Sequence, residues 1–164
     1  QYEEKLPYRK EDVSINNNLN NRGTFLRFSV KNIGRKSAIN CRCQILIVLK
    51  DRKKHEDYQG FPLKWASRPE PVIDQERGER LNIAVGETEF IDIALSLDTD
   101  EFIHLQKYHN IPIGIKELID PGKYEIILIF SGDNFEPYKL RFVVEKEDVK
   151  NRNKISLRLI KFWK

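Results

Sequence analysis

Apolar and polar residues alternate with a period of two in several separate stretches of the chain. Between residues 24 and 31, Leu26, Phe28 and Val30 alternate with polar side chains, which is the pattern of a strand with one face on a core and the other in water. The same alternation occurs in residues 124–130 and 138–145, on either side of the turn sequence Ser-Gly-Asp-Asn. The late part of the chain therefore predicts a β-hairpin.

Turn-forming residues divide the rest of the chain into further short segments of the same kind. We predict eight or nine strands in all, near residues 12–15, 24–31, 38–50, 61–65, 80–85, 89–95, 124–130, 138–145 and 154–162. No helical period is sustained over any of them. The pattern therefore predicts an all-β protein, an immunoglobulin-like antiparallel β-sandwich with one short helix at most.

Two predictions are specific to single segments. In residues 38–50 the inward face is predicted from alternation to hold six apolar side chains, Ile39, Cys41, Cys43, Ile45, Ile47 and Leu49. Residues 98–108 allow either a short helix capped by Asp98 or Thr99, or a strand at residues 102–105. A turn of helix near residues 115–119 is a further alternative.

The beginning of the chain predicts no packed element. Residues 1–11 are interpreted as an irregular lead-in or the stub of a linker, and the Asn-rich residues 16–23 as turns. Residues 12–164 are predicted to form one sandwich domain, a normal length for a single core. Because the chain begins with Gln1 and contains no Met, we interpret it as a fragment or a processed product, for which a preceding anchor and a simple truncation are both open.

The net charge of +4 and the pI of about 9.0 describe a mildly basic protein, but the charge is unevenly distributed. No acidic residue follows Asp148, and the candidate binding surface is formed by Lys150, Arg152, Lys154, Arg158, Lys161, Lys164 and Trp163. Such a strand suits nucleic acid or another anionic surface. The plainer alternative is a last strand with a solvated basic face.

The sequence predicts no catalytic, cofactor or metal site. Cys41 and Cys43 lie two apart in an apolar strand, too far for an easy disulfide and typical of small buried thiols. His55 with its acidic neighbours, and the acidic residues 98–101, lack the spacing of a zinc or EF-hand site. No nucleophile motif or phosphate-binding loop is present, and no apolar run is long enough for a membrane helix.

Trp65 has two alternative interpretations. It is either a core tryptophan of the sandwich or, with Tyr58 and Phe61 nearby in sequence, part of an aromatic platform for a carbohydrate or peptide.

Turn residues also occur in an order known from other proteins. They are Asn32, Gly34 and Ala38 around one turn, Gly86 and Glu87 in a second, and Pro121, Gly122 and Tyr124 at the start of a late strand. These stretches resemble bacterial and archaeal immunoglobulin-like modules of the cell-adhesion-related CARDB type. The resemblance implies that Tyr124 is a tyrosine corner, its ring in the core and its hydroxyl bonded to the preceding loop. It also implies adhesion, scaffolding or ligand presentation without a shared active site.

Three functional hypotheses follow. The first is a non-catalytic protein-interaction or adhesion-type module, the soluble part of a membrane-anchored protein. The second is nucleic-acid or anionic-surface binding through the basic C-terminal strand. The third is a carbohydrate-binding accessory domain that uses Tyr58, Phe61 and Trp65.

Overall fold

The computed structural model describes residues 9–15, 18–55, 58, 60–68, 79–106, 118–147 and 155–163, with side chains from Arg22 onward. The elements with described bounds are all strands: β1 (Arg9–Ile15), β2 (Asn18–Lys31), β3 (Ala38–Lys50), β4 (Lys53–Lys54), β5 (Phe61–Pro62), β6 (Lys64–Trp65), β7 (Leu81–Ile83), β8 (Thr88–Leu97), β9 (Ile103–Leu105), β10 (Leu118–Ile119), β11 (Gly122–Gly132), β12 (Phe135–Lys146) and β13 (Ile155–Trp163). Six of these have only two or three residues, too short to show alternation, which is why the described ranges hold more strands than the sequence predicts.

The strands form two antiparallel sheets that pack face to face, so the predicted all-β sandwich is confirmed. The first sheet has the order β1-β2-β8-β9-β10, and β6 also pairs with β8. The second has the order β13-β12-β11-β3-β4, and β5 and β7 also pair with β3. The six-residue connection from β2 to β3 crosses from one sheet to the other. The predicted hairpin is β11 with β12, paired from Gly122–Lys146 to Gly132–Phe135.

A single hydrophobic core fills the space between the sheets. Leu26 and Phe28 enter it from the first sheet, and Phe142 and Val144 from the second; each is at most 1% exposed. The rings of Phe28 and Phe142 meet with centroids 5.1 Å apart, so β2 packs directly over β12. Burial of these large side chains is the main favourable term that holds the sheets together.

A β-bulge in β3 corrects part of the predicted inward face. Ile47 pairs with Ile127, but the next pair in the ladder is Ile45 with Leu128, so Leu46 is an extra residue. A bulge of this kind moves the following side chains to the opposite face. Cys41, Cys43 and Ile45 are buried as predicted, while beyond the bulge Val48 is buried and Ile47 and Leu49 are only half-buried. The prediction was therefore wrong for Ile47 and Leu49.

The predicted irregular start was also wrong where the structure describes it. Strand β1 begins at Arg9, three residues inside the predicted lead-in of residues 1–11, and β2 begins at Asn18, within the Asn-rich stretch predicted as turns. The two strands pair from Arg9–Leu26 to Ile15–Asn18. Ladder hydrogen bonds between backbones do not depend on side-chain type, and they outweigh the weak strand propensity of Asn. Residues 1–8, 16 and 17 lie outside the described residues.

Between residues 98 and 119 the strand alternative is the one observed. Residues 103–105 form β9, which pairs with β8 and β10, and Leu118 and Ile119 form β10. The helix predicted to run from Asp98 through residue 108 does not form over its described part, because Ile103 and Leu105 complete the first sheet and bury their side chains. Residues 107–117 lie outside the described residues. No described helix has the length and apolar character needed to cross a bilayer.

Candidate functional site

The pairing of β12 with β13 gathers cationic side chains on the outer face of the second sheet. Because the core contacts alternate with outward positions along each strand, Lys139 and Arg141 of β12 point away from the core, as do Arg158 and Lys161 of β13. Arg141 lies opposite Lys161 in the ladder, and Arg158 lies opposite Val143. We call these four residues the cationic face. Arg141 and Lys161 are directly opposed and are close neighbours. Lys139 and Arg158 lie one outward position further along the ladder, in opposite directions, so the four residues form a row along the strand pair.

Trp163 borders the cationic face at the end of β13. It pairs with Lys139, and the Lys161 ammonium lies 5.4 Å from the centre of its ring, within cation–π range. This contact holds the Lys161 ammonium against the indole. A rigid aromatic side chain beside cations is a common feature of binding surfaces.

The cations differ in their partners. Arg141 donates to the carboxylate of Glu125 on β11, which lies diagonally across the ladder, opposite Val143. No ion pair among the described residues involves Lys139, Arg158 or Lys161. Three exposed or edge-lying charges are therefore available to an anionic ligand, and the Arg141–Glu125 pair fixes the centre of the patch.

Apolar side chains continue the cationic face toward the middle of the sheet. Val143 is buried on this outer side at 7% exposure, and Ile127 and Ile129 of β11, which lie opposite Arg141 and Lys139, are half-buried. At the far end of the same face, Lys123 and Glu145 form an ion pair of 3.5 Å. The surface is thus mixed, with cations along the β13 edge and aliphatic groups behind them.

The opposite side of β13 carries an exposed aromatic group. Ile160 forms a β-bulge. Leu159 pairs with Phe142 and Lys161 pairs with Arg141, so Ile160 is an extra residue in the ladder. Beyond it, Phe162 lies on the core side of the sheet yet is 61% exposed, and its ring stacks on Tyr138 at 5.7 Å. The end of β13, which pairs only with β12 among the described strands, therefore offers cations on one side and aromatic rings on the other.

The structure describes only part of the predicted binding surface. Arg158, Lys161 and Trp163 lie on the described strand β13. Four further predicted members lie outside the described residues: Lys150, Arg152, Lys154 and Lys164. Lys139 and Arg141 were missed, because sequence alone does not say which residues of β12 face which residues of β13.

Trp65 is a core residue. Its side chain is fully buried, its indole Nε1 donates to the carbonyl of Glu79 at 3.1 Å, and its ring meets Phe130 at 6.4 Å. Tyr58 and Phe61 are also buried, at 1% and 7% exposure. The proposed aromatic platform is therefore wrong, and the carbohydrate hypothesis loses the side chains on which it rested.

Tyr124 meets only half of the expectation for a tyrosine corner. Its ring is fully buried, between the Lys50 ammonium at 5.2 Å and the His55 ring at 5.2 Å. Its hydroxyl is buried and has no partner in the described part of the preceding loop, and its interaction with the Lys50 ammonium raises the pKa of Lys50. Tyr124 therefore contributes to the core by packing.

The two cysteines are buried free thiols, as predicted. Burial raises the pKa of Cys41 to about 11 and raises the pKa of Cys43 as well, so both are protonated and poor nucleophiles at neutral pH. Within the described ranges, no three His, Cys, Asp or Glu side chains gather as a metal site.

A polar cluster at the end of β8 was not anticipated from the sequence. The Asp100 carboxylate lies 2.9 Å from Nε2 of His104 and accepts from the backbone N–H of Phe102 at 3.0 Å. The Lys146 ammonium donates to the carbonyls of Phe102 at 2.8 Å and Asp100 at 3.3 Å. The cluster closes the bend between β8 and β9. The signal that could have found it is the acidic residue four positions before His104.

The chain was compared with protein-family models, curated proteins and solved structures, and nothing matches it. The similarity to CARDB-type modules therefore stays a prediction.

Proposed function

We propose that this domain is a non-catalytic protein-interaction module that binds an acidic protein segment on the cationic face. The observation that carries the proposal is the register of β12 and β13, which brings Lys139, Arg141, Arg158 and Lys161 onto one outer face. This arrangement supports the expectation of an adhesion-type module, because it forms a surface on which a partner could bind. Electrostatic complementarity at such a surface raises association rates and selects partners by charge.

The mixed chemistry of the face favours a protein over a nucleic acid. Glu125 neutralises Arg141 within the patch, and Ile127, Ile129 and Val143 place aliphatic groups next to the charges. A protein segment that alternates acidic and apolar residues complements both features, whereas a phosphate backbone complements only the cations.

Among the described strands β13 pairs with β12 alone, and its other edge adds a way to bind. An extended peptide can form ladder hydrogen bonds with an exposed sheet edge, while its alternate side chains contact the two sides. On β13, Lys161 lies on the outer side of the sheet and Phe162 lies on the core side. Edge lysines and bulges also discourage unspecific pairing, and Ile160 and Lys161 supply both. Charge complementarity would then decide which peptides bind.

The test uses a fluorescein-labelled peptide of alternating glutamate and leucine, titrated by fluorescence anisotropy. We expect the Arg158→Gln/Lys161→Gln variant to bind it about tenfold more weakly than the unmodified domain, the effect of two surface charges. The matched control is Lys53→Gln/Arg80→Gln, which removes two exposed cations outside the cationic face and should leave the affinity unchanged. Equal weakening by both variants would show that binding depends on net charge alone and would overturn the proposal.

Nucleic-acid binding is the second candidate, because Trp163 with its adjoining cations resembles the base-stacking surfaces of single-strand binders. Titration with a labelled oligothymidine between about 50 and 200 mM salt distinguishes the two, since phosphate contacts release counterions. Tighter binding of the oligonucleotide than of the peptide, with a steep loss in salt, would replace the protein partner with a nucleic acid.

A further inference from the structure

Two exposed aliphatic side chains stand in two neighbouring connections between strands and are not part of the cationic face. Ile33 is 89% exposed, and Val85 is 53% exposed. Ile33 lies in the connection between β2 and β3, and Val85 in the turn between β7 and β8. We call these two connections, residues 32–37 and 84–87, the tip.

The backbone holds the two side chains next to each other. The N–H of Asn32 donates to the carbonyl of Glu87 at 3.0 Å, and the N–H of Gly86 donates to the carbonyl of Asn32 at 2.8 Å. These bonds continue the ladder of β2 with β8 beyond its last pair, Lys31 with Thr88. Ile33 and Val85 are the sequence neighbours of the bonded Asn32 and Gly86, and both are exposed.

Side-chain hydrogen bonds make the tip rigid. The amide of Asn32 donates to the carbonyls of Ile83 and Lys36, both at 2.9 Å, and its carbonyl accepts from the N–H of Gly34 at 2.9 Å. The Glu87 carboxylate accepts from the N–H of Ala84 at 2.8 Å. The tip therefore presents its apolar side chains without a further entropy cost of ordering.

The exposed charges around Ile33 are mostly positive. Lys31, Arg35 and Lys36 are exposed, while Glu87, the acidic residue of the tip, is engaged with the backbone of its own turn. Cations around protruding apolar groups match a lipid bilayer with anionic headgroups, where the cations stay at the surface and the apolar groups reach the acyl boundary.

We propose that the tip attaches this domain to an anionic lipid surface by inserting Ile33 and Val85. A bilayer fits better than a protein partner, because two convex side chains cover far less area than a stable protein interface requires. Shallow insertion combined with attraction of Lys31, Arg35 and Lys36 gives reversible attachment through the tip. The cationic face then remains free for its own ligand.

The first experiment is co-sedimentation with vesicles of phosphatidylcholine containing about one-third phosphatidylserine, and with phosphatidylcholine alone. We expect the unmodified chain to bind the anionic vesicles, and Ile33→Ser/Val85→Ser to lower its partition coefficient about tenfold. The control Leu118→Ser/Ile160→Ser replaces aliphatic residues that are 39% and 44% exposed outside the tip and should bind normally. Failure of the unmodified chain to bind, or normal binding by the tip variant, would refute the proposal.

A second measurement locates the contact. Because Cys41 and Cys43 are buried, a thiol introduced by Ile33→Cys can be labelled selectively with the fluorophore NBD. Vesicles should shift the NBD emission to shorter wavelength and raise its intensity, and a label introduced by Leu118→Cys should not respond. An unchanged emission from the tip label on bound vesicles would exclude insertion.

The cationic face provides the remaining control. Arg158→Gln/Lys161→Gln should keep most of the vesicle binding while losing the acidic peptide. If this variant alone loses vesicle binding, the lipid contact belongs to β13 and the tip proposal fails. Failure of the peptide titration would leave the tip proposal intact.

Discussion

The Lys146 ammonium is a charged group that is buried in the sandwich. Its side chain is 1% exposed, and its ammonium donates to carbonyls of the bend that follows β8. Burial lowers the pKa of Lys146 from its ordinary 10.5, although nearby Asp98, Asp100 and Glu101 oppose the shift. The folded chain therefore binds this proton less tightly than the unfolded chain does.

The lowered pKa predicts a pH dependence of stability. Below the folded-state pKa the buried ammonium costs free energy. As pH rises from that pKa toward 10.5, the folded chain loses the proton first, so the free energy of unfolding rises. Urea denaturation between about pH 8 and 10 should show this rise in the free energy of unfolding in the unmodified chain and not in Lys146→Met. Lys139→Met, on an exposed position of the same strand, should keep it. A pH dependence identical in all three proteins would contradict the assignment.

Two phenylalanines on the core side of the β12–β13 pair, Phe142 and Phe162, should differ sharply in their effect on stability. Phe142 is fully buried and contacts Phe28, whereas Phe162 is mostly exposed. We expect Phe142→Ala to lower the free energy of unfolding by about 3–5 kcal/mol, and Phe162→Ala to lower it by about 0.5 kcal/mol or less. Urea denaturation followed by circular dichroism measures both. A large loss for Phe162→Ala would show that this ring is buried in solution.

Bulges decide which side chains of the long strands face the core. Leu46 reverses the alternation in β3, and Ile160 interrupts the ladder of β13. In β8, Leu26 pairs with Ala94 and Arg27 with Asp92, so Ile93 is an extra residue. Simple alternation would put Leu95 on the same face as Ile91 and Ile93. Leu95 is instead buried outside the core cluster, and Ala94 belongs to the cluster.

The bulge in β3 makes a prediction that opposes simple alternation. Val48 is fully buried, and Ile47 is half-buried on the outer face. Val48→Ser should lower the free energy of unfolding by about 2–4 kcal/mol, and Ile47→Ser by about 1 kcal/mol or less. Urea denaturation of the two variants measures both losses in the free energy of unfolding. The reverse order of effects would place Ile47 in the core and remove the bulge.

These bulges mark the limit of prediction from the sequence. Alternation predicts β2, β11 and β12 well, because their core-facing positions run without interruption through Leu26, Phe28, Ile126 and Leu128. A bulge leaves no local signature in an apolar segment such as residues 45–49, since every residue there suits either face. Likewise local charge predicts that Arg158 and Lys161 belong to a cationic surface. Local charge does not predict that Lys139 and Arg141 lie next to them, because that depends on the pairing of β12 with β13.

The sandwich as a whole encloses both thiols. Cys41 and Cys43 lie on β3 between the sheets, at most 1% exposed, so a reagent can reach them only when the sheets separate. The raised thiol pKa values, about 11 for Cys41, further reduce the thiolate fraction.

Thiol reactivity should therefore report global unfolding. We expect no reaction of either cysteine with Ellman's reagent near pH 8 in the folded domain, and reaction of both in denaturing urea. Ile33→Cys, whose new thiol lies on the exposed tip, should react at once and serves as the positive control. Rapid reaction of the unmodified folded chain would mean that the core opens locally at β3.

The order of strands in the second sheet has a consequence for how the chain acquires its structure. β11, β12 and β13 are consecutive and pair with their sequence neighbours, but β3 pairs with β11, and the contacting residues Arg42 and Ser131 are 89 positions apart. Closing so long a loop is entropically costly and slows folding. During synthesis β3 leaves the ribosome long before β11 is made. Until then the apolar residues of β3 are exposed, because the strand with which they pair is missing. The growing chain is therefore most prone to aggregate in that interval, and chaperones that cover residues 41–49 would protect it.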